Sequence, residues 1–416
     1  MQQQHYNNQK RFGNSEIIVV AGVSSCHCSI AKSFMETKQI IRIYLFLIFP
    51  LLVFLLIPDV QKSFQSNHFL WLYILLFSYI ISNITKPVVR AIAARFNVVD
   101  KPGGRKIHSN ATPLMGGVAI YTAFAITIIH NDVYSLELKG VAIGATIVFI
   151  MGLIDDIKSL PATLKLAVQI IATFIMIRCG VVADFLPNTW WGYLSEILIT
   201  MIWVLGITNS LNFFDGMDGL ATGLTIVSSL FIGLLAIQLG QHYLMYLSIA
   251  LLGSSLGFFP YNLRYKQTAS IFLGDGGSTF MGFMLASLTV MGGWGAKEPI
   301  KAYAMPILIL GILIFDMLYT TVTRIKNKQI SNFREWLSFT GKDHLHHRLE
   351  MLGFSRKQTV FFILFIAATL GLGALVLRNG NTLDALLLSL QGVLIYMVIV
   401  TLMIRKKNTN NLEKQG

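Results

Sequence analysis

Twelve apolar stretches recur along the chain, at about 43–58, 69–87, 114–130, 140–154, 164–180, 194–208, 219–239, 243–259, 278–293, 303–323, 359–377 and 384–404. A helix needs about 20 mostly apolar residues to cross a bilayer core of ~30 Å, so each run reads as a membrane span, the first, fourth and sixth being short. The fold class expected is therefore all-α: a polytopic membrane helix bundle of 11–12 transmembrane helices. Charged residues make up only 13% of the chain and hydrophobic ones 54%, with a mean hydropathy of +0.63. Soluble domains carry roughly 25% charged residues, and a soluble chain could not hide this much apolar surface. Disorder and collagen are excluded. The three cysteines, Cys26, Cys28 and Cys179, set up no disulfide framework.

Orientation follows from where the basic residues fall. With the N-terminus inside, 27 of the 33 Lys and Arg lie on inside segments, 5 lie on outside loops and Arg178 sits at a helix end. The asymmetry supports an even number of spans with both termini cytoplasmic. The net charge of +13 then reports inside loops facing anionic lipid or substrate. No basic stripe alternates with aromatics, so nucleic acid is not an expected partner. Three regions follow: a polar cytoplasmic leader over 1–39, a transmembrane domain over 40–405 and a cytoplasmic tail over 406–416. The leader reads as a disordered tail, or as sequence upstream of a true start at Met35. Cys26-His27-Cys28 has no second cluster to complete a zinc site.

The clustered polar residues all fall at inside ends or inside loops, where a charge near the membrane core has a cost of at least ~2.5–3.5 kcal/mol. Asp155-Asp156 closes the run Gly140–Ile154, only about 22 Å of helix, so the pair is drawn below the headgroup plane. Two adjacent carboxylates invite a divalent cation, a lysine or a proton, and Lys165 follows where the chain re-enters the membrane. Asn209, Asn212, Asp215 and Asp218 recur every three residues with no basic residue among them. Such an unpaired oxygen set suits a hard cation such as Mg²⁺. Gly274-Asp275-Gly276-Gly277-Ser278 opens a span, where backbone N–H groups could cradle a phosphate. His344-Leu345-His346-His347-Arg348 lies in the largest inside loop, 324–358, and suits a sugar phosphate, with zinc as the competing ligand. Asn332–Leu337 in the same loop reads as a segment lying along the membrane surface. Together these describe phosphoryl transfer at a membrane surface.

At these motifs the chain resembles the polyprenyl-phosphate N-acetylhexosamine-1-phosphate transferase family over about residues 70–405. The resemblance rests on Asp155-Asp156-Ile157-Lys158, on Asn209 through Asp218-Gly219-Leu220, on Gly274–Ser278 and on the HxHH form of His344–His347. Arg105-Lys106-Ile107-His108, with Pro113 and Gly116-Gly117, is similar to the family's first cytoplasmic loop. The resemblance implies an eleven-helix core, so the span at 43–58 would be an extra helix. It implies an enzyme of the bacterial cytoplasmic (inner) membrane that takes UDP-N-acetylhexosamine and undecaprenyl phosphate. The products would be UMP and the lipid-diphosphate-linked first sugar of a cell-envelope polysaccharide, with Mg²⁺ as cofactor and Mn²⁺ as a substitute. Carried over, Asn212 and Asp275 would hold the metal, and Lys165 would contact the pyrophosphate. Asp155, Asp156 and Asp215 would order metal and lipid phosphate, one of them serving as base if a base is needed. Asn209, Asp218 and Lys106 would bind substrate, Asp218 near the uracil, and His344, His346, His347 and Arg348 would close over the sugar phosphate. Whether the chain is a monomer or a homodimer, and which N-acetylhexosamine it takes, stay open.

Two other classes compete. A secondary transporter would place charges near the midplane and show repeat symmetry, neither of which is visible. A CDP-alcohol type transferase would need a DGxxAR run, but Asp218-Gly219-Leu220-Ala221 is followed by Thr222.

Overall fold

A computed structural model describes residues 46, 48–100, 112–131, 135–184, 186–187, 189–264, 267–294, 299–339 and 341–413. It divides at Ile57 into two units. In the first, the described part is a seven-residue helix, α1 (Phe49–Leu55). Of the expected span at 43–58, α1 is the described α-helix; it ends at Leu55, and Pro58 opens the next helix. Residues 1–45 and 47, which include the whole expected leader 1–39, lie outside the described residues.

The second unit begins with α2 (Pro58–Ser66) and continues through α3 (Leu70–Arg95), α4 (Gly117–His130), α5 (Leu136–Ile157), α6 (Ala162–Arg178) and α7 (Trp190–Phe214). It goes on with α8 (Leu220–Gln238), α9 (His242–Asn262), α10 (Gly274–Met291), α11 (Pro299–Ile309) and α12 (Gly311–Lys326). Two short helices follow, α13 (Phe333–Ser338) and α14 (Leu345–Met351), and then α15 (Arg356–Leu377) and α16 (Thr382–Glu413). Every apolar run from residue 69 onward becomes a helix or, once, a bent pair. Among the described residues, seven helices are long and apolar enough to cross a membrane by length and composition, or eight if the bent pair is one span. The others fall short on length or polarity: α4 has 14 residues, roughly 21 Å. The fold is that of an all-α polytopic membrane protein.

Helix α10 lies at the centre of the bundle. Fifteen of its 18 residues are buried, among them Phe280, Phe283 and Met284, and it packs against α4, α5, α7 and α8. Faces that look outward are apolar, as lipid requires: Ile202, Phe365 and Val376 are each more than 60% exposed.

The expected span 303–323 is broken. Helices α11 and α12 meet at an angle of 81°. Pro306 removes one backbone donor from α11. At the break the backbone of Gly311 packs so closely that a β-carbon there would sit 2.6 Å from the Tyr396 hydroxyl. The bend carries Asp316 and Arg324 inward, where both are buried.

A two-stranded antiparallel ribbon, β1 (Val99–Asp100) and β2 (Thr112–Pro113), pairs Val99 with Pro113. Pro113 O accepts from Phe272 N at 2.9 Å, and Gly116 N and Gly117 N donate to Phe272 O and Leu273 O. The start of α4 is thus stitched to the residues that enter α10.

Candidate active site

The site assembles at one end of the bundle, where α5, α7 and α12 finish and α6 and α10 begin. Asp155 and Asp156 sit in the last turn of α5, and Lys165 in the first turn of α6. Lys165 Nζ donates to Asp155 and, at 3.0 Å, to Asp275 Oδ2. The other oxygen of Asp155 accepts from Leu160 N at 2.6 Å, which fixes the tight turn between α5 and α6.

Asp156 has a different task. Its two oxygens accept from Asp275 N at 2.7 Å and Gly276 N at 3.2 Å. A carboxylate from a remote helix therefore caps α10 and meets its positive end. Two of the N–H groups expected to cradle a phosphate, those of Asp275 and Gly276, thus donate to Asp156 in this structure. Gly274 is required here on two counts. Its φ is +79°, and a β-carbon would lie 2.5 Å from Asp156 Oδ2.

Helix α7 runs six residues beyond the expected span and carries Asn209 and Asn212 on its final turns. Asn212 Nδ2 donates to Asp275 Oδ1 at 3.0 Å and to Ser278 Oγ at 2.8 Å. Asn209 instead pairs with Gln169 of α6 at 2.7 Å, so it ties helices together at the edge of the site. Asp215 caps α7. Burial of its carboxyl, with the neighbouring charges of Asp275, Asp156 and Asp218, pushes its pKa well above the carboxylate range. Asp218 accepts from Ala269 N at 2.9 Å and so fixes the approach to α10. Asn262 Oδ1 receives Gly219 N and Thr222 Oγ1, which holds the turn where Gly219 has φ +80°.

The histidine loop is supported from behind by α12. Asp316 accepts from His344 Nδ1 at 2.7 Å and from Leu345 N at 2.6 Å. Arg324 forks onto Asp343 at 2.7 and 2.8 Å and reaches His344 Nε2 at 3.3 Å. Burial raises the pKa of Asp343, but the Arg324 hydrogen bond and charge outweigh it and hold the carboxyl below its usual range. His344 stacks on Phe213 at 4.6 Å between ring centres, joining the loop to the end of α7. His346 is 1% exposed and neither ring nitrogen has a hydrogen-bond partner. His347 is the open member, with 24% of its side chain exposed and Glu350 3.5 Å away. Arg348 lies over the Tyr319 ring at 4.8 Å and donates to the Asp343 carbonyl. Lys106, with Arg105 and His108, lies outside the described residues.

Asp155, Asp156, Asp215, Asp275, Lys165 and Asn212 thus come together, and Asp218 and Asn209 flank them. Among the described residues, Lys165 pairs with two of the four carboxylates, Asp155 and Asp275, and an oxygen-rich set of this kind suits a hard divalent cation. Among the described residues no three carboxylate or imidazole groups close around one point. Sequence reasoning missed Asp316, Arg324 and Asp343 as a support. The available signal was Asp316 itself, an ionisable residue inside an apolar run.

The family model described as glycosyl transferase family 4 matches residues 138–293. A probable undecaprenyl-phosphate N-acetylglucosaminyl 1-phosphate transferase of Bacillus subtilis (strain 168) is 32% identical over 307 residues, covering 72% of this chain and 82% of that protein. The decaprenyl-phosphate N-acetylglucosaminephosphotransferase of Mycolicibacterium smegmatis is 32% identical over 317 residues, 69% of this chain and 77% of the relative. The undecaprenyl-phosphate alpha-N-acetylglucosaminyl 1-phosphate transferase of Escherichia coli K12 is 27% identical over 292 residues, 68% and 77% of the two chains. The chain belongs to glycosyl transferase family 4, among its polyprenyl-phosphate N-acetylhexosamine-1-phosphate transferases.

Proposed function

We propose that this protein transfers N-acetylglucosamine 1-phosphate from UDP-N-acetylglucosamine to undecaprenyl phosphate, releasing UMP and starting a cell-envelope polysaccharide. The observation that carries the reading is the hydrogen-bonded set of Asp155, Lys165, Asn212 and Asp275, drawn from four helices to one end of the bundle. The names of the relatives support the sugar and the lipid acceptor.

In this reaction an oxygen of the lipid phosphate attacks the phosphorus that bears the sugar. The bond from that phosphorus to the bridging oxygen breaks, and UMP leaves with the electron pair. Lys165 neutralises charge on the pyrophosphate, a role its position between two carboxylates supports. A phosphate monoester has a second pKa of ~6, so the attacking group is largely ionised and needs little help from a base. Asp155, Asp156 and Asp215 then serve to order the site. Asp275 and Asn212 would hold Mg²⁺, or Mn²⁺ in its place, which when bound supplies charge neutralisation at the transferred phosphate. Asp218 and Asn209 border the nucleotide end, and His347 and Arg348 close over the sugar phosphate.

The reading places the protein in the bacterial cytoplasmic membrane with the site and both termini cytoplasmic. The excess of basic residues on one side supports this, and so does a cytosolic donor. One chain carries every residue named here, so no second copy is required. Membranes containing the protein, given radiolabelled UDP-N-acetylglucosamine and a panel of other UDP-sugars, test the assignment. Label should enter the lipid fraction from UDP-N-acetylglucosamine, and absence of lipid label from every sugar would refute it.

A further inference from the structure

The HxHH stretch is divided by burial. His344 and His346 are 5% and 1% exposed. Both ring nitrogens of His344 are engaged, Nδ1 with Asp316 and Nε2 with Arg324. A ring so placed has no free atom to offer a substrate. His347, one residue past His346, is the histidine that opens outward.

Asp316 accounts for this division. It is 1% exposed and lies on α12 beyond the 81° bend, and its two oxygens take two consecutive donors of the loop. One bond orients the His344 ring and the other holds the first N–H of α14. With Asp316 accepting at Nδ1, that nitrogen carries the proton and Nε2 is left as the acceptor for Arg324. The ring then stacks on Phe213, the residue after Asn212. We propose that Asp316 is the positioning residue of the histidine loop: it acts through His344 to set the loop against the end of α7 and so to present His347 to the nucleotide-sugar donor. His344 is an anchor of the loop and not a donor contact.

The inference rests on the transferase reading for its kinetic arm, and a spectroscopic arm stands apart from it. The kinetic arm is a double-mutant cycle on the full-length purified protein, with Asp316→Ala, His344→Ala and the pair, assayed with UDP-N-acetylglucosamine and undecaprenyl phosphate. Each single change should lower kcat/KM for the donor roughly 10- to 100-fold, the loss of one charge-assisted contact. The pair should be no worse than the poorer single variant, and KM for the lipid acceptor should not move. Multiplied losses in the pair, an equal loss on the acceptor side, or singles within about twofold of wild type would each overturn the proposal. If Asp316→Ala does not fold, Asp316→Asn completes the cycle, since it keeps the shape and one acceptor.

In the spectroscopic arm, ¹⁵N-histidine spectra of wild type and His344→Gln identify the His344 ring. The ring should be the Nδ1–H tautomer, and that signal should be lost in Asp316→Ala or weakened in Asp316→Asn. An Nε2–H tautomer in wild type contradicts the proposal even if no transfer is detected. Absence of transfer in wild type, with the tautomer as expected, refutes the reaction and leaves the loop anchor standing.

Discussion

The carboxylate of Asp156 receives the backbone N–H of Asp275 at 2.7 Å, joining the end of α5 to the first turn of α10. The residue that caps α10 and the residue that offers its carboxylate to the site are thus directly bonded.

Asp156→Ala should leave two N–H groups of α10 without their acceptor. Loss of a cap has a cost of about 0.5–2 kcal/mol, and these donors lie near the membrane, where water replaces the cap poorly. A lower melting temperature in detergent is expected, with a larger loss of transfer than the stability change alone explains. A variant as stable and as active as wild type would show that the cap is dispensable.

Glycine substitutions separate site geometry from general packing. Gly274→Ala forces φ of +79° on an alanine and puts its methyl 2.5 Å from Asp156 Oδ2. It should destabilise by more than about 1 kcal/mol and abolish transfer. Gly206→Ala, on α7 where no atom lies within 4 Å of the new methyl, should fold and turn over as wild type does. Comparable yield and activity for the two variants would contradict the geometry at α10.

His346 gives a pH dependence of known sign. Burial, helped by the charges of His347, His344 and Arg356, holds its pKa well below 6.5. The folded protein therefore keeps the ring neutral while the unfolded chain takes up a proton as pH falls through 6.5. Stability should drop as the solution is acidified below that point, and the drop should shrink in His346→Leu. Melting curves between pH 7.5 and 5 decide it: an equal acid sensitivity in both proteins assigns the effect elsewhere.

Much of the fold was legible in the sequence, because a 20-residue apolar run has few uses other than a span. The Asp, Asn and His motifs were legible because clustered polarity at membrane ends is expensive. Three things were not. The bend at Leu310–Gly311 falls among apolar residues on both sides, so hydropathy passes over it. The capping of α10 by Asp156 links residues 119 positions apart, and only folding reveals that the glycine-rich turn faces carboxylates. The pairing of Asp316 with His344 spans 28 positions, and in sequence the acid was one polar residue within a span.

Side assignment is open to direct labelling. In a cysteine-free background, a cysteine at position 342, in the histidine loop, should be shielded from impermeant thiol reagents in intact cells. One at position 139, near the start of α5, should react. The reverse pattern would put the site beyond reach of a cytosolic nucleotide sugar.

Metal dependence can be read without turnover. Mn²⁺ binding by the purified protein, followed by electron paramagnetic resonance, should be lost in Asp275→Asn while the protein stays folded. In wild type, EDTA should stop transfer and added Mg²⁺ should restore it. Full binding by Asp275→Asn would remove Asp275 from the metal's ligands.

The most direct measurement uses purified protein in liposomes with undecaprenyl phosphate and UDP-N-acetylglucosamine, with nucleotide and lipid products quantified together. The account predicts UMP and lipid-diphosphate-linked N-acetylglucosamine in equal amounts, because the bond between the two phosphates is the one that breaks. Release of UDP in place of UMP, or sugar nucleotide carried across the membrane unchanged, would contradict it.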